Sequence, residues 1–245
     1  MKYKFQMIFP SDPNDSNLVV ERFRPDTEIM KAMEINVSTT PDDDATHLMY
    51  KGFAISRPEN YPLDLRYLNT FEHIINYTLM SVYYPLIADL SIETFFADNL
   101  DESVLEEIKN RGWDKVFVKK DRRALENIEE GKSIWPNTSF EEMKKHYDEM
   151  QIDGKYAIRK FIMKDIIDQE ERYWVFNGNI YHRHNKIPNV VKEAAKRLNT
   201  MGSKYYTIDA TPEFVVEVNP GESSDRHAVN SAELFASWIK KEFVK

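Results

Sequence analysis

The chain has 245 residues, 42% of them hydrophobic and 30% charged, with a formal charge of −8, seven glycines and no cysteine. That length buries one large core or two modest ones, and the lack of cysteine excludes disulfides, cysteine-based zinc sites and cysteine nucleophiles. The acidic balance, 41 Asp and Glu against 33 Lys and Arg, gives no support to a general nucleic-acid binder, and so few glycines argue against a mostly β protein with many tight turns.

The opening MKYKFQMIFPSDPND has too short an apolar run for a signal peptide, and no stretch approaches the ~18 apolar residues that a bilayer span needs. A soluble, cytoplasmic chain without a membrane partner is expected. KYKFQMIF (2–9) reads as a strand broken by the turn-forming PSDPNDS, and TTPDDDAT (39–46) as a loop of solvated aspartates. HLMYKGFAI (47–55) is a second apolar run. PLDLRYLNTFEHIINYTLM (62–80) has helical spacing, with Leu65, Leu68, Phe71, Ile74 and Ile75 on one face.

From about residue 100 the signals sharpen. DESVLEEIKNRG (101–112) predicts a helix with an aspartate N-cap and a closing glycine. KVFVKK (115–120) is a strand, and SFEEMKKHYDEM (139–150) a helix opened by Ser139 and Glu142 at capping-box spacing. KYAIRKFIM (155–163) is a strand, ERYWVFNGNIYHRHN (171–185) a hairpin about Asn-Gly, and PNVVKEAAKRLNT (188–200) a helix with proline at its start. A hairpin over 206–221 and a helix over 230–244 close the chain. This is an α+β arrangement with antiparallel pairing.

The hairpin YTIDATPEFVVEVNPG (206–221) sets carboxylates among valines. Strict alternation turns Phe214, Val216 and Val218 one way and Val215, Glu217 and Asn219 the other. A turn at Thr211-Pro212-Glu213 would bring Asp209 beside Glu217. Such an oxygen-only set suits Mg²⁺ or Mn²⁺, which take one or two carboxylates with substrate phosphate oxygens. The alternative is that Glu217 and Asn219 face solvent while the valines form the core. Lys119, sharing a strand face with Phe117, is either a solvated edge residue or a point-charge partner for phosphate. Arg159 and Lys160 interrupt one apolar strand, and Glu170, Arg172 and Trp174 share a face of the next. Cross-strand ion pairing would account for both sets. His182 and His184 share a strand face, but no local third ligand completes a zinc site. EEGKSIW (129–135) lacks P-loop glycine spacing, and no G-x-S-x-G turn is present.

In this order the pieces resemble the ATP-grasp superfamily of carboxylate–amine ligases, over roughly residues 110–245. VFVK (116–119) resembles its strand with a phosphate-binding lysine, and IRKFI (158–162) its hinge between two subdomains. EERYWVFNGNI (170–180) is similar to its E-x-R-x-x-V-x-x-G hairpin, and IDATPEFVVEVNPG (208–221) to its aspartate strand followed by E-x-N-x-x-G. The lysine strand, the arginine-bearing hinge and MYKGFAISRPENYPLD (49–64) are also similar to the R2K clade.

The resemblance implies an ATP-grasp fold: two α+β subdomains clasping a nucleotide in residues 111–245, preceded by a smaller N-terminal α/β region in 1–110. It implies ATP and Mg²⁺ (or Mn²⁺) as cofactors, with Asp209, Glu217 and Asn219 holding the metal. Lys119 would hold phosphates, and the backbone of Lys160, Phe161 and Ile162 would meet the adenine. Glu170 would serve adenine or ribose, Arg172 belongs to the E-x-R hairpin, and Arg159 and Arg183 would bind phosphate or carboxylate. The implied activity joins a small-molecule or peptide carboxylate to an amine through an acylphosphate; a nucleotide-binding pseudo-enzyme and a kinase are the alternatives. Two departures stand out. Thr207 occupies a position where the family often has arginine, a charge that Arg183 or Arg57 would have to replace, and no glycine-rich lid is recognisable unless GKS (131–133) is its reduced version.

Overall fold

The computed structural model describes residues 4–54, 58–121, 133–149, 154–184, 186–226 and 230–244. Strand β1 (Phe5–Ile8) is buried along its length because it is the middle strand of a parallel sheet. A hairpin of β2 (Ser11–Asp12) and β3 (Asp15–Val19) follows, its turns held by Asp12 and Asp15 accepting from the N–H groups of Asn14 and Asn17. Helix α1 (Arg24–Ala32) begins at proline and buries Met30. Strands β4 (Asn36–Ser38) and β5 (His47–Tyr50) then flank β1 in parallel.

The single helix expected over 62–80 is two helices and a strap. Leu65 is 99% exposed, and Tyr67 bridges to Leu48 while the Leu68 N–H donates to the Leu48 carbonyl at 2.8 Å. The apolar spacing there was coincidental, because residues 66–68 satisfy their backbone on β5. Helix α2 (Phe71–Thr78) begins where Thr70 accepts from the His73 N–H and His73 Nδ1 accepts from Thr70, a capping box with histidine in the acid's place. Extended Leu79 (ψ 109°) separates it from α3 (Met80–Ile87).

A second sheet has the order β6-β9-β7-β8, antiparallel throughout, from β6 (Thr94–Ala97), β7 (Val116–Lys120), β8 (Ile134–Trp135) and β9 (Tyr156–Lys160). Helices α4 (Glu102–Asn110) and α5 (Phe140–Glu149) cover one face, burying Val104, Ile108, Met143 and Tyr147 against Val116, Val118, Tyr156 and Ile158. Each such buried large side chain contributes roughly 1.5–3 kcal/mol. Asp101 caps α4, and Ser139 with Glu142 forms the expected reciprocal cap of α5. The opposite face carries Phe117, Lys119, Ala157 and Arg159, placed together by the register Phe117↔Arg159 and Lys119↔Ala157.

Beyond β9 the chain crosses, through α6 (Lys164–Ile167), into a third sheet of order β11-β10-β12-β13. Its strands are β10 (Glu171–Phe176), β11 (Asn179–Tyr181), β12 (Tyr205–Ala210) and β13 (Val215–Pro220). The β10–β11 turn has Asn177 and Gly178 both at positive φ, 48° and 81°, as the Asn-Gly pair foretold. Helix α7 (Asn189–Leu198) packs with α2 and α3 on the face carrying Tyr173, Val175, Tyr206 and Ile208. The other face, with Trp174 and Phe176, packs on α8 (Ala232–Phe243) and on Phe5, Met7 and Phe9. That shared core fixes the N-terminal sheet to the third sheet and so sets where a pocket between them can form. Among the described residues, no helix is long and apolar enough to cross a membrane.

Candidate active site

Strand register builds the site. Arg172 lies opposite Asp209 on β10 and β12, and Asp209 opposite Glu217 on β12 and β13, so the three side chains form one row across the sheet. Asn219 sits opposite Thr207, one pleat further along. The alternation expected for the hairpin fails at Val216. A β-bulge between Asp209 and Ala210 leaves Val216 as the extra residue, so Val215 joins Val218 in the core while Glu217 stays on the Asp209 face. The freed Val216 carbonyl accepts from Arg159 of β9 at 2.7 Å.

The second sheet meets this row. The Lys119 ammonium donates to Glu217 Oε1, with both side chains largely buried. Arg172 forks onto Asp209, Nε to Oδ1 and the terminal nitrogen to Oδ2, each at 2.7 Å. Asn219 donates to Asp209 Oδ2 at 3.3 Å and to Glu217 Oε2 at 3.1 Å. Burial alone would raise the Glu217 pKa. The Lys119 ammonium and the Asn219 amide outweigh it and hold the carboxyl below its usual value. Burial pushes Glu170 up to about 7, aided by the nearby Asp209 and Glu217 charges. Arg159 is shifted down by its own burial, and its Nε is buried without a hydrogen-bond partner among the described residues.

An oxygen-only pair of carboxylates with an adjacent amide fits a small hard cation that completes its shell with phosphate oxygens and water. Among the described residues, no group of three or more His, Asp or Glu side chains is disposed to hold a metal. A cation at this row would complete its shell with ligands beyond these three side chains, such as phosphate oxygens and water. The buried Arg159 Nε, beside the same row, is a donor of the kind an anionic group satisfies.

Lys119, Arg159, Arg172, Asp209, Glu217 and Asn219 thus converge, with Glu170 in electrostatic reach. The remaining sequence candidates lie elsewhere. Lys160 turns outward to Glu93 at 2.9 Å, and its N–H and that of Phe161 donate to Glu93 and Lys115 carbonyls. The Phe161 ring lies 4.1 Å from Lys115 Nζ, and Ile162 is half-buried. Arg183 bonds Glu171 at 2.7 Å, and Glu171 leaves β10 on the face opposite Arg172. His182 binds the same Glu171 at 3.2 Å. Arg57, Gly131 and Lys132 lie outside the described residues.

Sequence reasoning missed Lys51 and Glu222. Lys51, buried just after β5, donates to the carbonyls of Gly221 and Ser224, in the turn that follows Asn219. The Gly52 N–H donates to the Glu222 carbonyl at 2.8 Å, which splices the N-terminal unit to that turn. Gly221 is required there, because a Cβ would stand 2.3 Å from the Tyr205 ring and 2.9 Å from the Tyr205 carbonyl oxygen. The signal was the segment 49–64, whose likeness to a clade drew attention without naming the lysine.

No protein-family model matches the chain, and no curated protein does. Solved structures do. D-cycloserine synthetase DcsG matches with a TM-score of 0.64 at 12% identity, over 98% of this chain and 99% of that one. Macrocyclase MdnC of Microcystis aeruginosa MRC, bound with precursor peptide MdnA, matches with a TM-score of 0.58 at 12% identity over 97% and 99%. ATP-grasp ligase PsnB, complexed with a minimal precursor, Mg and ADP, gives 0.58 at 9% identity over 99% and 98%. At such identities the likeness speaks for the fold. The chain has the ATP-grasp fold, as its motifs implied.

Proposed function

We propose that this ATP-grasp fold is an ATP-dependent ligase that joins a carboxylate to an amine. The observation carrying the reading is the meeting of Lys119 and Arg159, from one sheet, with Asp209, Glu217 and Asn219 from the other. Residues 111–245 would supply the nucleotide site, with the hinge near 158–162, and residues 1–110 would help to form the substrate pocket, while β6 pairs with β9 across that division. Burial of Lys119 and Arg159 on one sheet face also supports the narrower likeness to the R2K clade. A cytoplasmic setting suits an ATP consumer without cysteine. Nothing in the acidic composition calls for a nucleic-acid partner.

In the first half-reaction, a substrate carboxylate oxygen attacks the γ-phosphorus of ATP. The bond to the β-phosphate oxygen breaks, giving an acylphosphate and ADP. The amine nitrogen then attacks the acyl carbon, phosphate leaves with the C–O bond electrons, and the nitrogen gives up a proton. Mg²⁺, held by Asp209, Glu217 and Asn219, would supply charge neutralisation for the phosphates. Lys119, bound to Glu217 in the free protein, is positioned to exchange that carboxylate for a phosphate oxygen. Arg159 offers to the same group its Nε, which has no hydrogen-bond partner among the described residues, and Arg172 orients Asp209 by its two-pronged contact. Glu170, with its raised pKa, is suited to hydrogen-bond the nucleotide in its protonated form below pH 7.

Thr207 favours a second reading, a nucleotide-binding pseudo-enzyme. It is fully buried, with Oγ1 2.9 Å from Ser224 Oγ, and so provides no cation where the family often has one. Arg172, directly across from Asp209, is the cation that could answer that lack. ATP with Mg²⁺ at 100 times its dissociation constant should add about 2.7 kcal/mol of stability, or roughly 5–10 °C for a chain of this size. Pools of carboxylates and amines should then release ADP and phosphate together with an amide detectable by mass spectrometry. No thermal shift refutes nucleotide binding, a shift without ADP supports the pseudo-enzyme, and a stable phosphorylated product without amine identifies a kinase.

A further inference from the structure

A cleft of about 650 Å³ lies between the N-terminal unit and the third sheet, within the size range of small-molecule sites. Its apolar wall is Phe9, Phe23, Met30 and Phe235, and its polar wall includes Lys51 and Arg172. Arg172 is shared with the candidate metal row, because the same guanidinium that forks onto Asp209 also borders the cleft. A ligand in the cleft would therefore reach the carboxylate row through one side chain.

The cleft charges do not cancel evenly. At the rim Arg22 pairs with Asp225 at 3.0 Å and Arg226 with Asp26 at 3.0 Å, two reciprocal ion pairs between the start of α1 and the loop after β13. Arg172 is matched by Asp209. Lys51, 5% exposed, has only main-chain carbonyls as hydrogen-bond partners among the described residues, although Asp225, Glu222 and Asp26 act on it through space. Its ammonium also lies 5.2 Å from the Trp174 ring centre. A buried cation whose bonds go to neutral oxygens, at the edge of an aromatic-walled cavity, is set to receive an anion.

We propose that this cleft seats the carboxylate substrate of the ligase, with its carboxylate on Lys51 and Arg172 and an apolar group of aromatic size on Phe9, Phe23 and Phe235. The assignment rests on the ligase reading for its place in the reaction. It names the substrate class: a hydrophobic carboxylate, not a sugar acid or a second acidic side chain. Lys51 is the specificity residue, and the apolar wall selects against short polar acids.

The test is calorimetric and needs no ATP. Wild-type protein should bind 3-phenylpropionate at least tenfold more tightly than acetate or the neutral isostere 3-phenylpropanamide. Lys51→Gln should lower the 3-phenylpropionate affinity at least tenfold. Because that change touches a buried group, Phe23→Ala supplies an independent arm: it leaves Lys51 in place, should weaken 3-phenylpropionate at least fivefold, and should leave both acetate binding and the ATP·Mg²⁺ thermal shift unchanged. Equal affinity for acid and amide, or wild-type affinity in either folded variant, overturns the proposal. Glu217→Gln separates the two readings, since it should lose the ATP·Mg²⁺ shift and keep 3-phenylpropionate binding. Loss of both together overturns the separate carboxylate seat.

Discussion

Glu217→Gln should destabilise the ligand-free protein by about 2–3 kcal/mol, more than a change at an exposed strand position, which usually stays within about 0.5 kcal/mol. The reason is Lys119. Its side chain is 7% exposed and that of Glu217 is 17% exposed, so this ion pair is shielded from water on both sides. Removing one member of a buried pair costs about 3–5 kcal/mol, because the other charge is left without compensation. Glutamine keeps an acceptor for Lys119 and a neighbour for Asn219, which places the loss at or just below that range. Lys119→Met should cost a similar amount by stranding Glu217, whose remaining hydrogen bond among the described residues is from Asn219. The double variant should lose less than the sum, with a coupling of about 1–3 kcal/mol. Urea unfolding at pH 7 measures all three, and the single losses correspond to roughly 4–12 °C in Tm. The pH dependence has a definite sign. The folded-state pKa of Glu217 lies below its usual value, so its contribution is present above the unfolded pKa and fades as pH falls through the folded one. The gap between wild type and Glu217→Gln should therefore close in acid. Additive losses, or a Glu217→Gln variant within about 0.5 kcal/mol of wild type at pH 7, would refute the buried pair.

Glu222 gives the opposite pH signature: it is fully buried, and burial, opposed by the neighbouring Tyr205, Asn69 and Lys51, raises its pKa to about 7. Its raised folded pKa means that stability is full below the unfolded value and is lost as pH rises through 7, by up to about 3 kcal/mol; unfolding curves of Glu222→Gln should be flatter between pH 5 and 8. Gly221→Ala should destabilise by about 1–3 kcal/mol through overpacking against Tyr205 and displace the carbonyl that Lys51 holds, so its Tm and its 3-phenylpropionate affinity should fall together. Asp209→Asn should abolish the ATP·Mg²⁺ thermal shift, while retention of that shift would remove Asp209 from the metal set.

What the sequence revealed and what it hid divide by distance along the chain. Asp101, Ser139 with Glu142, and Asn177-Gly178 act within four residues of themselves, and each produced the cap or turn it advertised. The strap at 65–70 deceived because its partner is β5, some twenty residues back, and a helical period carries no trace of that pairing. Lys119 could not be distinguished from a solvated edge lysine, since its partner is 98 residues away, and Lys51 is tied to carbonyls 170 and 173 residues away. The hairpin at 206–221 stood between these cases. Its composition announced an acid pair, and two-residue alternation put Asp209 beside Glu217 but assigned Val215 to the wrong face. Without an extra residue, Val215 and Glu217 would share a face, and burying the valine would bury the carboxylate with it. The bulge at Val216 separates the two demands: Val215 enters the core, Glu217 stays beside Asp209, and the displaced carbonyl is satisfied by Arg159. That arginine reaches the hairpin from the second sheet. The irregularity that defeats the sequence pattern is therefore also what brings the two sheets to one site.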